Sequence, residues 1–174
     1  MKDELATIQP AKTEISIPDV CAAIIEKGIT SESVDLVERM MQAQDRANDR
    51  AAKIELANAF GQLQDDCKPI ACTKIIPGKN GEIRSTFAPL EEIKTAIAPF
   101  LAKRGFTYDA KQELIDGGKM TRATVILTHR LTGFTKESSF TCREQASPGN
   151  TPAQNDGGTF TFAERNAIKN LLGL

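Results

Sequence analysis

Apolar residues recur with the period of a helix between residues 18 and 66. Pro18 suits the first turn of a helix and Gly28 suits its end, and between them apolar side chains recur at spacings of three and four. The spacing predicts one short helix there, preceded by an irregular lead-in over residues 1–15.

A longer helix is predicted from about Ser31 or Ser33 to about Asp66, because no proline interrupts this segment and its single glycine is Gly61. Its apolar positions form a narrow stripe at spacings of three and four, which we call the alanine stripe: Met40, Ala43, Ala47, Ala51, Ile54 and Ala57. Small side chains let a neighbouring helix approach closely. We therefore expect the alanine stripe to pack against the rest of the domain or against a neighbouring subunit.

From residue 68 onward the pattern changes to the two-residue alternation of strands. Five strands are predicted, over residues 70–76, 82–87, 106–115, 120–131 and 134–143, with a hairpin turn over 77–81. A helix begins after Pro89, a loop rich in Gly, Pro, Asn and Gln covers 145–158, and a last helix covers 162–172. The order ββ-α-βββ-α after a long N-terminal helix predicts an α+β fold in which an antiparallel sheet packs with helices.

Charge is unevenly distributed along this 174-residue chain, although its net charge is only −1. Residues 1–67 carry a net charge of −6 and residues 68–174 one of +5, and eight of the nine aromatic residues lie in the second part. A near-neutral total argues against a nucleic-acid partner, but a basic segment with aromatic residues favours one. We divide the chain into a lead-in with a short helix (1–30), a long helix (31–67) and an α+β core (68–174).

Several classes of protein are disfavoured by the sequence. No apolar run approaches the roughly 20 residues that a bilayer requires, and no secretory signal follows Met1, so we expect a cytoplasmic protein that binds no membrane. The four cysteines form no C-x-x-C pair, and only His129 could complete a zinc site with them, so we expect neither a metal nor a cofactor. A single histidine and the lack of nucleophile or phosphate-loop motifs indicate that the protein is not an enzyme. His129 falls on the apolar face of its strand, where a hydrogen-bonded, half-buried histidine is expected.

Basic residues are grouped on three of the predicted elements. Alternation along the strand 120–131 places Arg122 and Arg130 on one face. In the last helix Arg165 and Lys169 lie four residues apart with Asn166 beside them, and the hairpin adds further cations: Lys74, Lys79 and Arg84. Each charge alone is ordinary surface, but together on one small sheet they favour an anionic partner such as a phosphate backbone.

Two segments resemble the ERF (essential recombination function) family of phage single-strand annealing proteins. The first is IRSTFAPLEEI at 83–93, continued by IAPFL at 97–101, and the second is TFAERNAIKNLLG at 161–173. The strand and turn over 124–135 are also similar to the family pattern, and the resemblance covers about residues 57–174. Phe162, Glu164 and Asn166 stand where the family pattern has Tyr, Arg and Tyr.

The resemblance implies ATP-independent binding and annealing of single-stranded DNA in phage homologous recombination, by a homo-oligomer that forms a ring or a filament. It also implies an exonuclease and a single-strand-binding protein as partners, in the host bacterial cytoplasm. Arg165 and Lys169 would then neutralise phosphates on one wall of a groove, with other cations on its floor or opposite wall: Lys74, Arg84, Arg122, Arg130 and Arg143. Holding the backbone would leave base edges free to pair. Two alternatives stay open, a sheet-based RNA-binding module and a non-catalytic oligomeric scaffold.

Overall fold

The computed structural model describes residues 16–67, 70–77, 82–143 and 151–174. The chain divides into two compact units, one ending at Ala51 and the other spanning Ala52–Leu174. Nine elements follow one another along the described residues: α1 (Ile17–Lys27), α2 (Ser31–Asp66), β1 (Lys74–Pro77), β2 (Ile83–Phe87), α3 (Leu90–Lys103), β3 (Phe106–Ile115), β4 (Met120–His129), β5 (Thr135–Arg143) and α4 (Pro152–Leu172). This order confirms the predicted α+β class.

The first unit contains α1 and the first part of α2. Helix α1 begins with a capping box, in which the Ser16 hydroxyl accepts from the backbone N–H of Asp19 and the Asp19 carboxylate accepts from the backbone N–H of Ser16. It ends at Gly28, whose φ of 91° is accessible mainly to glycine. Both helix ends therefore lie where the sequence predicts them.

None of the described helices is long and apolar enough to cross a membrane.

The second unit contains two antiparallel sheets. β1 and β2 form a hairpin by themselves, and β3, β4 and β5 form a three-stranded sheet with β4 in the centre. Along β4, Thr121, Ala123, Val125, Leu127 and His129 are buried, whereas the residues between them are more exposed. The three-stranded sheet thus has an inner face, which the helices cover, and an outer face.

The core forms where helices pack on this inner face. It joins residues of the sheet, of α3 and of the last two turns of α4: Phe106, Val125, Leu127, Ile93, Ile97, Leu101, Ala167, Ile168, Leu171 and Leu172. Leu56 and Leu63 of α2 complete it, and Leu63 has no exposed surface. The second half of α2 is therefore an integral part of the core.

Ile54 and Ala57, the two residues of the alanine stripe that belong to this unit, do not provide this packing. Ile54 is 63% exposed and Ala57 is exposed as well, because the face of α2 that packs on the core carries the larger Leu56, Phe60 and Leu63 instead. The expected packing of the stripe on its own domain is therefore wrong for these two residues, and packing on a neighbouring subunit stays a prediction.

The prediction of a loop over 145–158 is also wrong in part. Residues 144–150 lie outside the described part of the chain, but α4 already begins at Pro152. A capping box explains this early start, since the Thr151 hydroxyl accepts from the backbone N–H of Gln154 and the Gln154 side chain accepts from the backbone N–H of Thr151. The cap and the buried Thr159 outweigh the low helix propensity of Gly157 and Gly158.

Candidate nucleic-acid interface

Helix α4 carries the cations at the centre of the candidate site. Its buried face is formed by Ala163, Ala167 and Ile168, each without exposed surface, together with the last two leucines of the helix. Arg165, Asn166 and Lys169 lie beside that face, where Arg165 and Asn166 are half-buried and Lys169 is exposed. The three residues that the sequence groups on this helix are therefore neighbours in the structure.

The Arg165 guanidinium lies against two aromatic rings. Its Cζ atom is 4.6 Å from the ring centroid of Phe87 in β2 and 5.2 Å from that of Phe162, one turn earlier in α4. We call these three residues the Arg165 cluster. Contacts of this kind fix the plane of the guanidinium and attract its charge to the ring faces.

Arg165 has no acidic partner among the described residues, since no carboxylate oxygen there lies within 4.0 Å of it. Burial lowers the pKa of its guanidinium, and the electrostatic interaction with Cys72 acts in the opposite direction. A guanidinium nevertheless keeps its proton in proteins. The site therefore holds a partly dehydrated positive charge that the described residues leave without a counter-charge.

The hairpin supplies the opposite side of this site. Lys74 pairs with Phe87 and Ile76 pairs with Ser85, so these four side chains share one face of the hairpin. Between that face and α4 lies a pocket of about 300 Å³. Its lining includes the whole Arg165 cluster and residues from the hairpin, α3, α4 and the C-terminus: Ile70, Cys72, Ile76, Ser85, Thr86, Ala88, Ile93, Asn166, Lys169 and Leu174.

Arg84 lies at an irregular position of the same hairpin. The pairing shifts between Ile76, which faces Ser85, and Pro77, which faces Ile83, so Arg84 is left unopposed in a β-bulge. Its side chain is exposed. Lys79, the remaining predicted residue of the hairpin, lies outside the described residues.

The outer face of the three-stranded sheet carries a separate group of cations. Arg122 and Arg143 are exposed there, opposite the inner face that α4 covers, and Arg130 is exposed just after β4 ends. Arg122 donates to Glu113 at 3.1 Å, which offsets its charge. The structure thus brings Arg165, Asn166 and Lys169 together at the pocket and places Lys74 on the same hairpin face as the pocket residues Ile76 and Phe87. It places the three arginines of the outer face away from the pocket.

One important residue of α4 is not among the sequence-predicted ones. Glu164 is 3% exposed, and its carboxylate accepts from Lys94 Nζ at 2.7 Å, from the Tyr108 hydroxyl at 2.6 Å and from Gln112 Nε2 at 2.7 Å. The spacing contains a signal for this burial, because positions 164, 167, 168 and 171 form one helical stripe whose other members are apolar. A carboxylate on such a stripe requires partners.

The surroundings of Glu164 keep it ionised. Burial acts to raise the pKa of this carboxyl, but the hydrogen bonds from Lys94, Tyr108 and Gln112 together outweigh burial and hold the pKa below its ordinary value. Burial and the bond to Glu164 raise the pKa of the Tyr108 hydroxyl. Glu164 therefore links α4 to α3 and β3, one residue before Arg165.

His129 has the structural role that the sequence predicts. It is buried, its Nδ1 atom lies 3.1 Å from the Thr132 hydroxyl, and its ring packs against Phe106 with centroids 5.1 Å apart. In the described part of the chain, no group of three or more His, Cys, Asp and Glu residues is placed to hold a metal ion.

One comparison with known proteins gives a match. A family model described as the ERF superfamily matches residues 56–174. No curated protein and no solved structure matches the chain. The matched segment begins at the first core leucine of α2 and includes both sheets, α3 and α4.

Proposed function

The chain belongs to the ERF superfamily, and on that basis we propose that it binds single-stranded DNA and anneals complementary strands in phage homologous recombination. The observation that carries the proposal is the Arg165 guanidinium, which has no acidic partner among the described residues and lies beside Lys169 and near the Lys74 face of the hairpin. A dehydrated cation without an acidic partner suits a phosphate, whose charge compensates it.

The proposed binding surface lies in residues 68–174, between the hairpin and α4. Lys74, Arg165 and Lys169 contact the strand there, Asn166 lines the same pocket, and Arg84 at the bulge extends the positive surface. Arg122, Arg130 and Arg143 would contact DNA only where a strand also passes along the outer face of the sheet. Annealing of this kind needs no ATP and no covalent chemistry, because the protein only raises the local concentration of strands that pair spontaneously.

The proposal includes self-assembly. We infer that the protein acts as a homo-oligomer, a ring or a filament, in the host bacterial cytoplasm, with a phage exonuclease and a single-strand-binding protein as partners. The exposed Ile54 and Ala57 of the alanine stripe support a contact with a second copy, since these apolar side chains are left uncovered on α2. Electron microscopy with and without oligonucleotide distinguishes a ring from a filament.

The test of strand binding is the double variant Arg165→Ala, Lys169→Ala. We expect it to lose most of its affinity for a labelled oligo(dT) in fluorescence anisotropy and to stop annealing complementary strands. In a salt titration the plot of the logarithm of the association constant against the logarithm of the salt concentration has a negative slope. Its magnitude should decrease by about 1.4 in the double variant, because each of the two lost phosphate contacts to a single strand contributes about 0.7.

The matched control is Lys111→Ala, Lys119→Ala, which removes two exposed cations from β3 and the following turn. This control should lower the affinity for the strand and the rate of annealing only by the small amount that follows from the reduced net positive charge. Equal losses in both double variants would contradict the site, and unchanged annealing by the Arg165 and Lys169 variant would refute it. A binding competition between single-stranded DNA and RNA of the same sequence distinguishes the proposal from the RNA-binding alternative. A tenfold preference for RNA would contradict the proposal.

A further inference from the structure

The environment of Arg165 exceeds what phosphate binding needs. Exposed, flexible cations such as Lys169 are sufficient to neutralise a backbone, and they do so without loss of their own hydration. Arg165 is instead half-buried, and two rings restrict its orientation. A guanidinium packed with two rings forms a cluster of planar groups on which another planar group can stack.

The walls of the pocket fit the same kind of group. Its volume of about 300 Å³ lies at the lower end of the range for sites that take a small organic molecule. The apolar residues Ile70, Ile76 and Ile93 line it, and the polar residues Ser85 and Asn166 also belong to its lining. A flat group with apolar faces and a hydrogen-bonding edge matches this lining.

The charges around the pocket indicate how that group arrives. Lys169 lines the pocket from α4 and is exposed. Lys74 is exposed on the same hairpin face as the pocket residue Ile76, although it does not line the pocket itself. A planar group attached to a chain of phosphates would place the phosphates on these two lysines and on the N–H edge of Arg165, while the group itself enters the pocket against the cluster. A nucleotide within a strand has this construction.

We propose that the pocket takes one nucleobase of the bound strand and stacks it on the Arg165 cluster. The proposal rests on the proposed strand binding and deepens it, because it names the part of the strand that the site recognises. One base per protein chain is then withdrawn from pairing and must leave the pocket before that position can anneal. Stacking does not depend strongly on base identity, so any sequence is accepted.

The direct test compares two strands of equal length and equal phosphate number on the wild-type protein. One is oligo(dT), and the other carries tetrahydrofuran abasic residues in place of every nucleotide. We expect the abasic strand to bind at least about five-fold more weakly at the same salt concentration, because one stacked base contributes about 1–3 kcal/mol. Equal affinity for the two strands overturns the base pocket and leaves the proposed strand binding intact, whereas no binding of either strand refutes the proposed function itself.

Two variants locate the effect in the pocket. Arg165→Lys keeps the charge but loses the planar surface, so its salt slope should remain and its preference for bases over abasic residues should decrease towards one. Phe162→Leu keeps apolar volume and loses the ring, with the same expected result should Arg165→Lys fold poorly. The control is Arg50→Lys, an exposed arginine of α2, which should keep the preference. A preference that survives in both pocket variants refutes the assignment to this pocket.

Discussion

Replacing Glu164 by glutamine tests how α4 is held in place. Gln has nearly the same shape as Glu, so Glu164→Gln removes the negative charge with little change in packing. In the wild type the carboxylate accepts three hydrogen bonds, from Lys94, Tyr108 and Gln112, and its residue is 3% exposed. In the variant only one carbonyl oxygen remains to accept these three hydrogen bonds. The other carboxylate oxygen is replaced by an amide N–H group, which faces a donor of a neighbouring residue.

The cost can be estimated from these contacts. A hydrogen bond to a charged group contributes about 1.5–3 kcal/mol. Gln112 can rotate its amide to accept from the new donor, and the Lys94 side chain is 34% exposed, so water takes over part of its interaction. We therefore expect a loss of about 2–3 kcal/mol in the free energy of unfolding at pH 7, less than the 3–5 kcal/mol of a fully buried ion left unpaired.

Acid should reduce this difference. The folded-state pKa of Glu164 lies below its ordinary value of 4.5, so its contribution is complete above that value and is lost as the pH falls through the folded-state pKa. Urea unfolding followed by circular dichroism at pH 7 and at pH values below 4.5 measures both effects. The control is Glu113→Gln, which removes an exposed pair with Arg122 and should cost less than about 1 kcal/mol. A Glu164→Gln variant as stable as the wild type at pH 7, or a difference independent of pH, would refute the reasoning.

Two further variants test the packing of the second unit. Leu63→Ala should lower the free energy of unfolding by about 2–5 kcal/mol, because Leu63 has no exposed surface. Ile54→Ala, at a residue that is 63% exposed, should change this free energy in the isolated chain by less than about 0.5 kcal/mol. Equal effects would contradict the observed orientation of α2. Gly105→Ala should cost about 1 kcal/mol or more in thermal unfolding because its φ of 72° is left-handed, whereas Gly61→Ala within α2 should be neutral or stabilising, and the opposite order would exclude a strained backbone at Gly105.

The sequence predicts the elements well where local signals agree. Pro18 and Gly28 bracket α1, and the alternation along β4 separates its buried residues from the more exposed Arg122 as expected. The start of α4 escapes prediction because two glycines and a proline locally resemble a loop. What decides it there is a capping box followed by a buried Thr159, and that burial depends on the rest of the fold.

The candidate site was harder to predict than the elements. Helical spacing correctly places Arg165 and Lys169 together, since both belong to one helix. Spacing within a strand cannot show which sheet face meets α4. The sequence pattern therefore groups Arg122 with residues that lie on the other side of the sheet. The ring of Phe87 reaches Arg165 only through the packing of the hairpin on α4, a long-range contact that no local pattern contains.

The paired glycines inside α4 divide this helix into two parts that differ in their stability against local opening. From Ala163 onward its buried residues are anchored by packing and by the hydrogen bonds of Glu164. Before Thr159, Gly157 and Gly158 each weaken the helix by about 1 kcal/mol relative to alanine, and both are exposed. Amide hydrogens of the first two turns should therefore exchange with solvent through local opening, long before those around Ile168. The first two turns of the helix that carries Arg165 can thus open, which shortens the helix, while its last turns stay packed on the core. This opening does not disturb the Arg165 cluster.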